Sequence, residues 1–209
     1  MVLAFPPEPP ERHVAQLRAV SPRLDVVACS YSEPSEHRTA RSRGEVDAVG
    51  ASPPVPDDFR AAIADAEVVL ALDLPAGVRE LAPELRWVQV IGAGVDHYRG
   101  LGLGDVVVTN AVGVSAVPMA EFVIGRILQV WKHFDELGAR QREHRWEAIY
   151  GRTLAGCTIA VVGLGAIGAA VAERARALGM HTLGIRRSYT PGATHPSCDE
   201  LYGPDDCTR

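Results

Sequence analysis

The sequence lacks an excess of positive charge, a long apolar run and any pair of cysteines at metal-ligand spacing. Its 209 residues carry a formal net charge of -5, which argues against a general nucleic-acid binder. No stretch approaches the ~20 consecutive apolar residues of a membrane span. The N-terminus, MVLAFPPEPPERH, has no basic segment followed by an apolar one, so no secretory signal is expected. The four cysteines, Cys29, Cys157, Cys198 and Cys207, are scattered without a C-x-x-C. They read as free thiols of a reducing compartment, with Cys157 packed, and exclude a disulfide framework or a metal site. What remains, 47% hydrophobic and 22% charged, is an ordinary globular composition, and the expected location is the cytoplasm.

What the chain does have is concentrated in residues 158–187, TIAVVGLGAIGAAVAERARALGMHTLGIRR. A β-branched run (Thr158, Ile159, Val161, Val162) reads as a buried strand. It enters Gly163, Leu164, Gly165, Ala166, Ile167 and Gly168, and a helix starting at Ala166 is expected to run to Gly179. A second strand follows over 181–185. G-x-G-x-x-G is weak evidence alone and strong between a strand and a helix inside a unit of about 30 residues. Gly163 permits the tight turn, Gly165 lets a pyrophosphate approach the backbone, and Gly168 lets helix and strand pack closely. The helix N-terminus then offers unpaired N–H groups to the phosphates. The structural alternative is a tight turn with no ligand.

An NAD site places Asp or Glu about 20 residues further on, against the ribose hydroxyls. Here that place holds Arg186, Arg187 and Ser188. Two guanidiniums and a hydroxyl suit a 2′-phosphate, so NADP(H) is expected over NAD(H), with NAD(H) left open. The alternative is a pair of solvated arginines at a strand end.

Upstream, short apolar runs alternate with helical or polar segments, which implies an α/β fold with a parallel sheet covered on both faces. Strands are expected over 2–5, 24–28, 67–72, 87–91 and 106–109, and helices over 9–19, 57–64 and 76–81. Residues 30–56 read as mostly loop, with a weak strand over 46–49. Residues 118–142 read as one long helix with an apolar stripe at Val123, Ile127, Val130, Trp131, Phe134 and Leu137. Pro118 stands at its first position. Trp131 and Trp146 are expected to be buried anchors, and the charged end of the segment a solvated arm or subunit contact.

The order of these features resembles the D-isomer-specific 2-hydroxyacid dehydrogenases of the glyoxylate/hydroxypyruvate reductase kind. Four passages carry the resemblance: LRWVQVIGAGVDHY from Leu85, VVVTNAVGVSAVPMAEFVIGRIL from Val106, RWEAIYGRTLAGCTIAVVGLGAIG from Arg145 and HTLGIRRS from His181. It implies a flavodoxin-like substrate domain over 1–117, an interdomain helix and arm over 118–150, and an incomplete Rossmann domain, a doubly wound parallel sheet, over 151–209. It also implies a 2-keto or 2-hydroxy acid bound in the cleft between domains and a homodimer joined through the nucleotide domain. The substrate carboxylate would meet backbone N–H groups at Ala93 and Gly94, where small residues after a strand can form an anion-binding nest. The alternative is a strand-end turn with structural glycines. Asp96 reads as a helix cap or structural hydrogen-bonder, His97 as a surface or packing residue, and Glu121 as structural.

In that family an Arg, and a His oriented by a Glu, hold the carboxylate and donate the proton. No residue here matches them, so no catalytic residue is assigned. The expectation is a C-terminally truncated or frame-shifted member, or a fragment, with about two Rossmann strands of its own, inactive in isolation. Alternatives from other classes are a non-catalytic dinucleotide-binding or regulatory protein and a non-functional remnant.

Overall fold

A computed structural model describes residues 1–45 and 53–208. The weak strand expected over 46–49 lies outside the described residues. The chain divides into two compact units, Met1–Val112 and Gly113–Arg209.

The first unit is built on five parallel strands: β1 (Val2–Ala4), β2 (Val27–Cys29), β3 (Val68–Ala71), β4 (Trp87–Val90) and β5 (Val107–Thr109). Their order is β2-β1-β3-β4-β5, the flavodoxin-like arrangement. Central strand β1 is buried on both faces, because successive side chains point opposite ways. Leu3 packs with Val14 and Val26. Val2 and Ala4 join Phe59, Ile63, Val69 and Val88 in the larger core. Helices α1 (Glu11–Arg18) and α3 (Asp57–Ile63) supply Val14 to one cluster and Phe59 and Ile63 to the other. Coverage on both faces fails at the edge, where Val107 in β5 is 58% exposed.

A second departure is α2 (Ser35–Arg43), inside the segment expected to be mostly loop. The helix has almost no apolar stripe, so periodicity does not reveal it. Its termini do: Pro34 at the N-cap, Glu36 in the first turn, Arg41 and Arg43 in the last, and Gly44 ending it at φ 76°. A short α4 (Val78–Leu81) precedes β4.

The second unit opens with α5 (Ala116–Trp131) and α6 (Phe134–Arg142) in place of the single helix expected. His133 breaks it with a left-handed φ of 55°. The buried stripe also differs from the expected one. Ala116, Ala120 and Ile124 are buried, with Ile127, Leu128 and Trp131 packed beside them. Val130 and Phe134 are exposed, because small alanines let α5 approach its neighbour closely while the larger residues face outward. Trp131 is partly buried and carries the Arg152 guanidinium 5.3 Å above its ring. Trp146 is 98% exposed and anchors nothing in this unit.

Behind α5 lies a second parallel sheet: β6 (Thr158–Val162), β7 (His181–Ile185) and β8 (Glu200–Tyr202), in that order, with α7 (Ala166–Ala177) connecting β6 to β7. Read from β8, this is the 3-2-1 half of a doubly wound sheet. The expectation of about two strands is therefore one short. Strand β8 is a three-residue ELY in a polar stretch, too short to show a period, and pairing with β7 creates it.

The N-terminal edge of this sheet carries a pH-dependent contact. The Asp199 carboxylate accepts from Thr182 N and Thr182 Oγ1, each at 2.8 Å. These bonds, with His181 3.5 Å away, hold its pKa below the usual carboxylate value. A depressed carboxylate stabilises the fold above its unfolded pKa and loses that contribution as pH falls through the acidic range. Asp199→Asn should flatten the acid limb of a urea-midpoint-against-pH curve. An unchanged acid limb would overturn this assignment.

Candidate functional site

Strand β6 delivers the chain into the glycine-rich turn. Gly163 takes φ 96°, a left-handed value that disfavours side chains, and its N–H donates to Ile185 O at 2.8 Å, tying the turn to the end of β7. Leu164 points inward and is 7% exposed. A Cβ on Gly184 would collide with its side chain and with Cys198 Sγ, so Leu164 can offer a ligand only backbone. Gly165, Ala166 and Ile167 are exposed. Gly165 caps α7 without a side-chain bond, leaving the first helical N–H groups unspent by capping.

The glycines divide by what surrounds them. A Cβ on Gly165 would meet nothing within 4 Å, so the space beside this backbone is open. A Cβ on Gly168 would run into the Gly163 carbonyl oxygen and stand 3.2 Å from Val161 Cγ1. Gly168 is thus held by packing, while nothing in the fold requires Gly165 to be bare. An open, side-chain-free backbone at the positive end of a helix fits a pyrophosphate.

At the end of β7, Arg186 is partly exposed, and Arg187 and Ser188 are exposed. Arg186 Nε donates to Ser188 Oγ at 3.1 Å. Among the described residues neither guanidinium has a carboxylate partner, so both retain donors. The residues present fit a phosphate on the ribose side.

In the first unit, β4 ends in the turn at residues 92–95. Ala111 N donates to Gly92 O at 3.0 Å, and Asn110 Nδ2 to Ala93 O at 2.8 Å. Those two carbonyls of the turn are therefore spent. Among the described residues the N–H groups of Gly92, Ala93, Gly94 and Val95 donate to no acceptor. Ala93 and Gly94 are exposed, and a Cβ on Gly92 or Gly94 would meet nothing within 4 Å. This arrangement can receive an anion.

The neighbouring residues take structural parts. Asp96 opens a short 3₁₀ turn and pairs with Arg99 at 2.9 Å. His97 Nε2 lies 3.0 Å from Leu72 O; a carbonyl only accepts, so that nitrogen carries the hydrogen. Glu121 lies 3.7 Å from Arg174 in a partly exposed pair. Beside this turn is a charged cluster to which the sequence gives no clue. Arg41 pairs with Glu33, at 8% and 4% exposure, and Arg38 pairs with the fully buried Asp73 at 2.7 Å. Tyr31 and Tyr98 border it, their hydroxyl pKa values raised first by burial and then by the nearby carboxylates. Burial, with Asp58 and Glu8, pushes the Cys29 thiol up to about 11, which makes it inert. Among the described residues no cluster could hold a metal ion, and no helix is long and apolar enough to cross a membrane.

The flavodoxin-like sheet, with the glycine-turn βαβ unit, defines an α/β protein that carries an NAD(P)-binding lobe. Residues 124–206 match the family model for the D-isomer specific 2-hydroxyacid dehydrogenase NAD binding domain. The chain is 34% identical over 128 residues to a glyoxylate reductase of Korarchaeum cryptofilum, covering 57% of this chain and 39% of that one. It is 30% identical over 157 residues to a D-3-phosphoglycerate dehydrogenase of Mycobacterium bovis, covering 72% and 30%. The chain thus spans well under half the length of these curated relatives. Among solved structures, a D-isomer specific 2-hydroxyacid dehydrogenase family protein of Aeromonas salmonicida shares the fold with a TM-score of 0.72 at 21% identity, over 99% of this chain and 58% of that one. An NADPH-dependent glyoxylate/hydroxypyruvate reductase of Sinorhizobium meliloti, solved with NADP and sulfate, gives 0.66 at 22%, over 98% and 56%.

Proposed function

We propose that these residues are the substrate lobe and the first nucleotide-binding unit of an NADP(H)-dependent oxidoreductase. It acts on the CH–OH group of D-2-hydroxy acids and on the corresponding 2-keto acids. The dinucleotide pyrophosphate lies on the backbone of residues 163–168, and its 2′-phosphate on Arg186, Arg187 and Ser188. The substrate carboxylate takes the free N–H groups of Ala93 and Gly94. The bound nicotinamide supplies the hydride. The chain's own residues bind and orient; none of them matches the family's proton donor, so the 209 residues by themselves bind without turnover. Residues 1–117 serve as substrate domain, 118–150 as interdomain helix and arm, and 151–209 as nucleotide domain. The protein works in the cytoplasm as a homodimer, a reading supported by exposed apolar residues such as Phe122, at 71%, and Trp146.

The carrying observation is the open space beside Gly165 together with two arginines at the end of β7 that, among the described residues, have no carboxylate partner. The test is a thermal-shift and fluorescence titration with NADP⁺ and NAD⁺. NADP⁺ should raise the melting temperature more than NAD⁺, since a ligand that binds only the folded state stabilises it. Arg186→Ala with Arg187→Ala should cost NADP⁺ at least about tenfold in affinity and leave NAD⁺ nearly unchanged, as lost charge-assisted hydrogen bonds are worth about 1.5–3 kcal/mol each. Equal stabilisation by the two dinucleotides would overturn the NADP(H) preference, and stabilisation by neither would overturn the site. Glyoxylate- or hydroxypyruvate-dependent NADPH oxidation by the purified 209-residue chain would overturn the absence of turnover.

A further inference from the structure

The sequence contains no cation matched to a substrate carboxylate, yet the first unit places one beside the turn proposed to receive it. A cavity of about 370 Å³ is lined by Arg38, Gly92, Gly94, Asp96 and His97, with Thr39 and Ser42 on its helical side. Arg38 enters from α2. Its Nη1 donates to Asp73 Oδ2 at 2.7 Å and to Glu33 O at 3.2 Å. Both bonds leave from one nitrogen. Among the described residues Nη2 and Nε have no acceptor, and the side chain is 29% exposed.

Asp73 is itself rigidly placed. It is fully buried, and its Oδ2 also accepts from Glu33 N at 3.0 Å. A buried carboxylate gripping one end of a guanidinium fixes the plane of the whole group and lowers the entropy cost of binding with the other end. The other groups lining the cavity do not compete for that edge. Thr39 and Ser42 donate their hydroxyl hydrogens to carbonyls of their own helix, at Ser35 and Thr39. The Asp96 carboxylate is taken by Arg99. His97 spends Nε2 on Leu72 O. Among the described residues the remaining donors at the cavity are one edge of Arg38 and the amides of the turn.

The geometry points to Arg38 as a substrate-positioning residue: it holds, together with the N–H groups of the turn at 92–94, the carboxylate of a small 2-keto acid, and Asp73 sets its orientation. This inference rests on the proposed carboxylate site at Ala93 and Gly94 and adds a cation to it.

The probe is oxalate, an unreactive small carboxylate, titrated into the 209-residue chain and followed by the amide resonances of Gly92, Ala93 and Gly94. The wild-type chain should show saturable shifts at those amides. Arg38→Gln alone leaves Asp73 buried without its cation and can unfold the unit. The informative variant is therefore Arg38→Gln with Asp73→Asn, which removes both charges of the pair. It should stay folded and bind oxalate about 10- to 100-fold more weakly, the worth of a charge-assisted hydrogen bond or two. Arg38→Lys should keep part of the affinity. Unchanged oxalate affinity in the folded double variant overturns the role of Arg38 and leaves the turn standing as a carboxylate site. No shift in the wild-type chain at saturating oxalate overturns the turn, and Arg38 with it.

Discussion

Gly168→Ala is expected to destabilise the second unit by about 3 kcal/mol or more, at the upper end of overpacking costs, while Gly165→Ala leaves the fold intact. Both glycines belong to one motif, and a motif alone treats them alike. Their surroundings differ. The added Cβ at 168 would overlap the Gly163 carbonyl oxygen, a backbone atom of the turn itself, with Val161 Cγ1 3.2 Å away. That carbonyl cannot swing aside freely, because Gly163 N is bound to Ile185 O. Relief would require separating α7 from β6, and the buried Ala172 and Ala175 show how closely that helix packs. At 165 the added carbon meets nothing, and its φ of -83° suits any L-residue. Its effect should appear only when a pyrophosphate competes for the same space, as a loss of at least about tenfold in NADP⁺ affinity. Urea denaturation of both variants and NADP⁺ titration of Gly165→Ala check this. Equal destabilisation by both substitutions would overturn the distinction.

Arg41→Met should destabilise the first unit by about 3–5 kcal/mol, the cost of breaking a buried ion pair from one side. Arg41 is 8% exposed and Glu33 is 4% exposed. Arg41 Nη2 donates to Glu33 Oε2, and its Nε donates to His97 O at 3.0 Å. Without the guanidinium, Glu33 is left buried near Asp73, with Tyr31 its side-chain donor. Among the described residues, two carboxylates then share a low-dielectric site with Arg38 as the remaining ion-pair partner. Adding Glu33→Gln to Arg41→Met removes the stranded charge and should recover much of the loss, since a buried pair contributes little over neutral groups of similar shape. Urea midpoints of the single and double variants decide it. A double variant as unstable as the single would mean that Arg41 acts through packing and its bond to His97 O.

Most of the first unit's sheet is legible in the amino-acid order. Strands β1, β3 and β4 are short apolar runs bounded by polar or small residues, and a fully buried parallel strand needs nothing more. The β6–α7–β7 unit is legible because the glycine turn, the β-branched run and the Gly179 stop all agree. Helix α2 is hidden to periodicity, and marked only by its termini, because its stability comes from tertiary charge pairs. Arg38 and Arg41 reach Asp73 and Glu33, and a polar segment with buried ion pairs looks like loop in one dimension. The long helix breaks at His133 without warning because a left-handed residue other than glycine carries little local signal. Trp146 defies its expected burial because hydrophobicity shows that a side chain prefers burial and does not say which surface covers it.

The site divides in the same way. The residues of the glycine turn and the absence of an acid after β7 are properties of the sequence, because ligand approach to a bare backbone and the charge of a side chain are local. That Leu164 faces the core, that Gly165 borders open space while Gly168 is wedged, and that Arg38 joins a turn far along the chain depend on atoms from distant segments. The order of residues is enough for the parallel-sheet class and for the glycine-rich turn between strand and helix. Which donors remain free is settled only in the folded chain. Each hydrogen bond and ion pair formed in folding removes a donor from those available to a ligand, and that account closes only when every partner is in place.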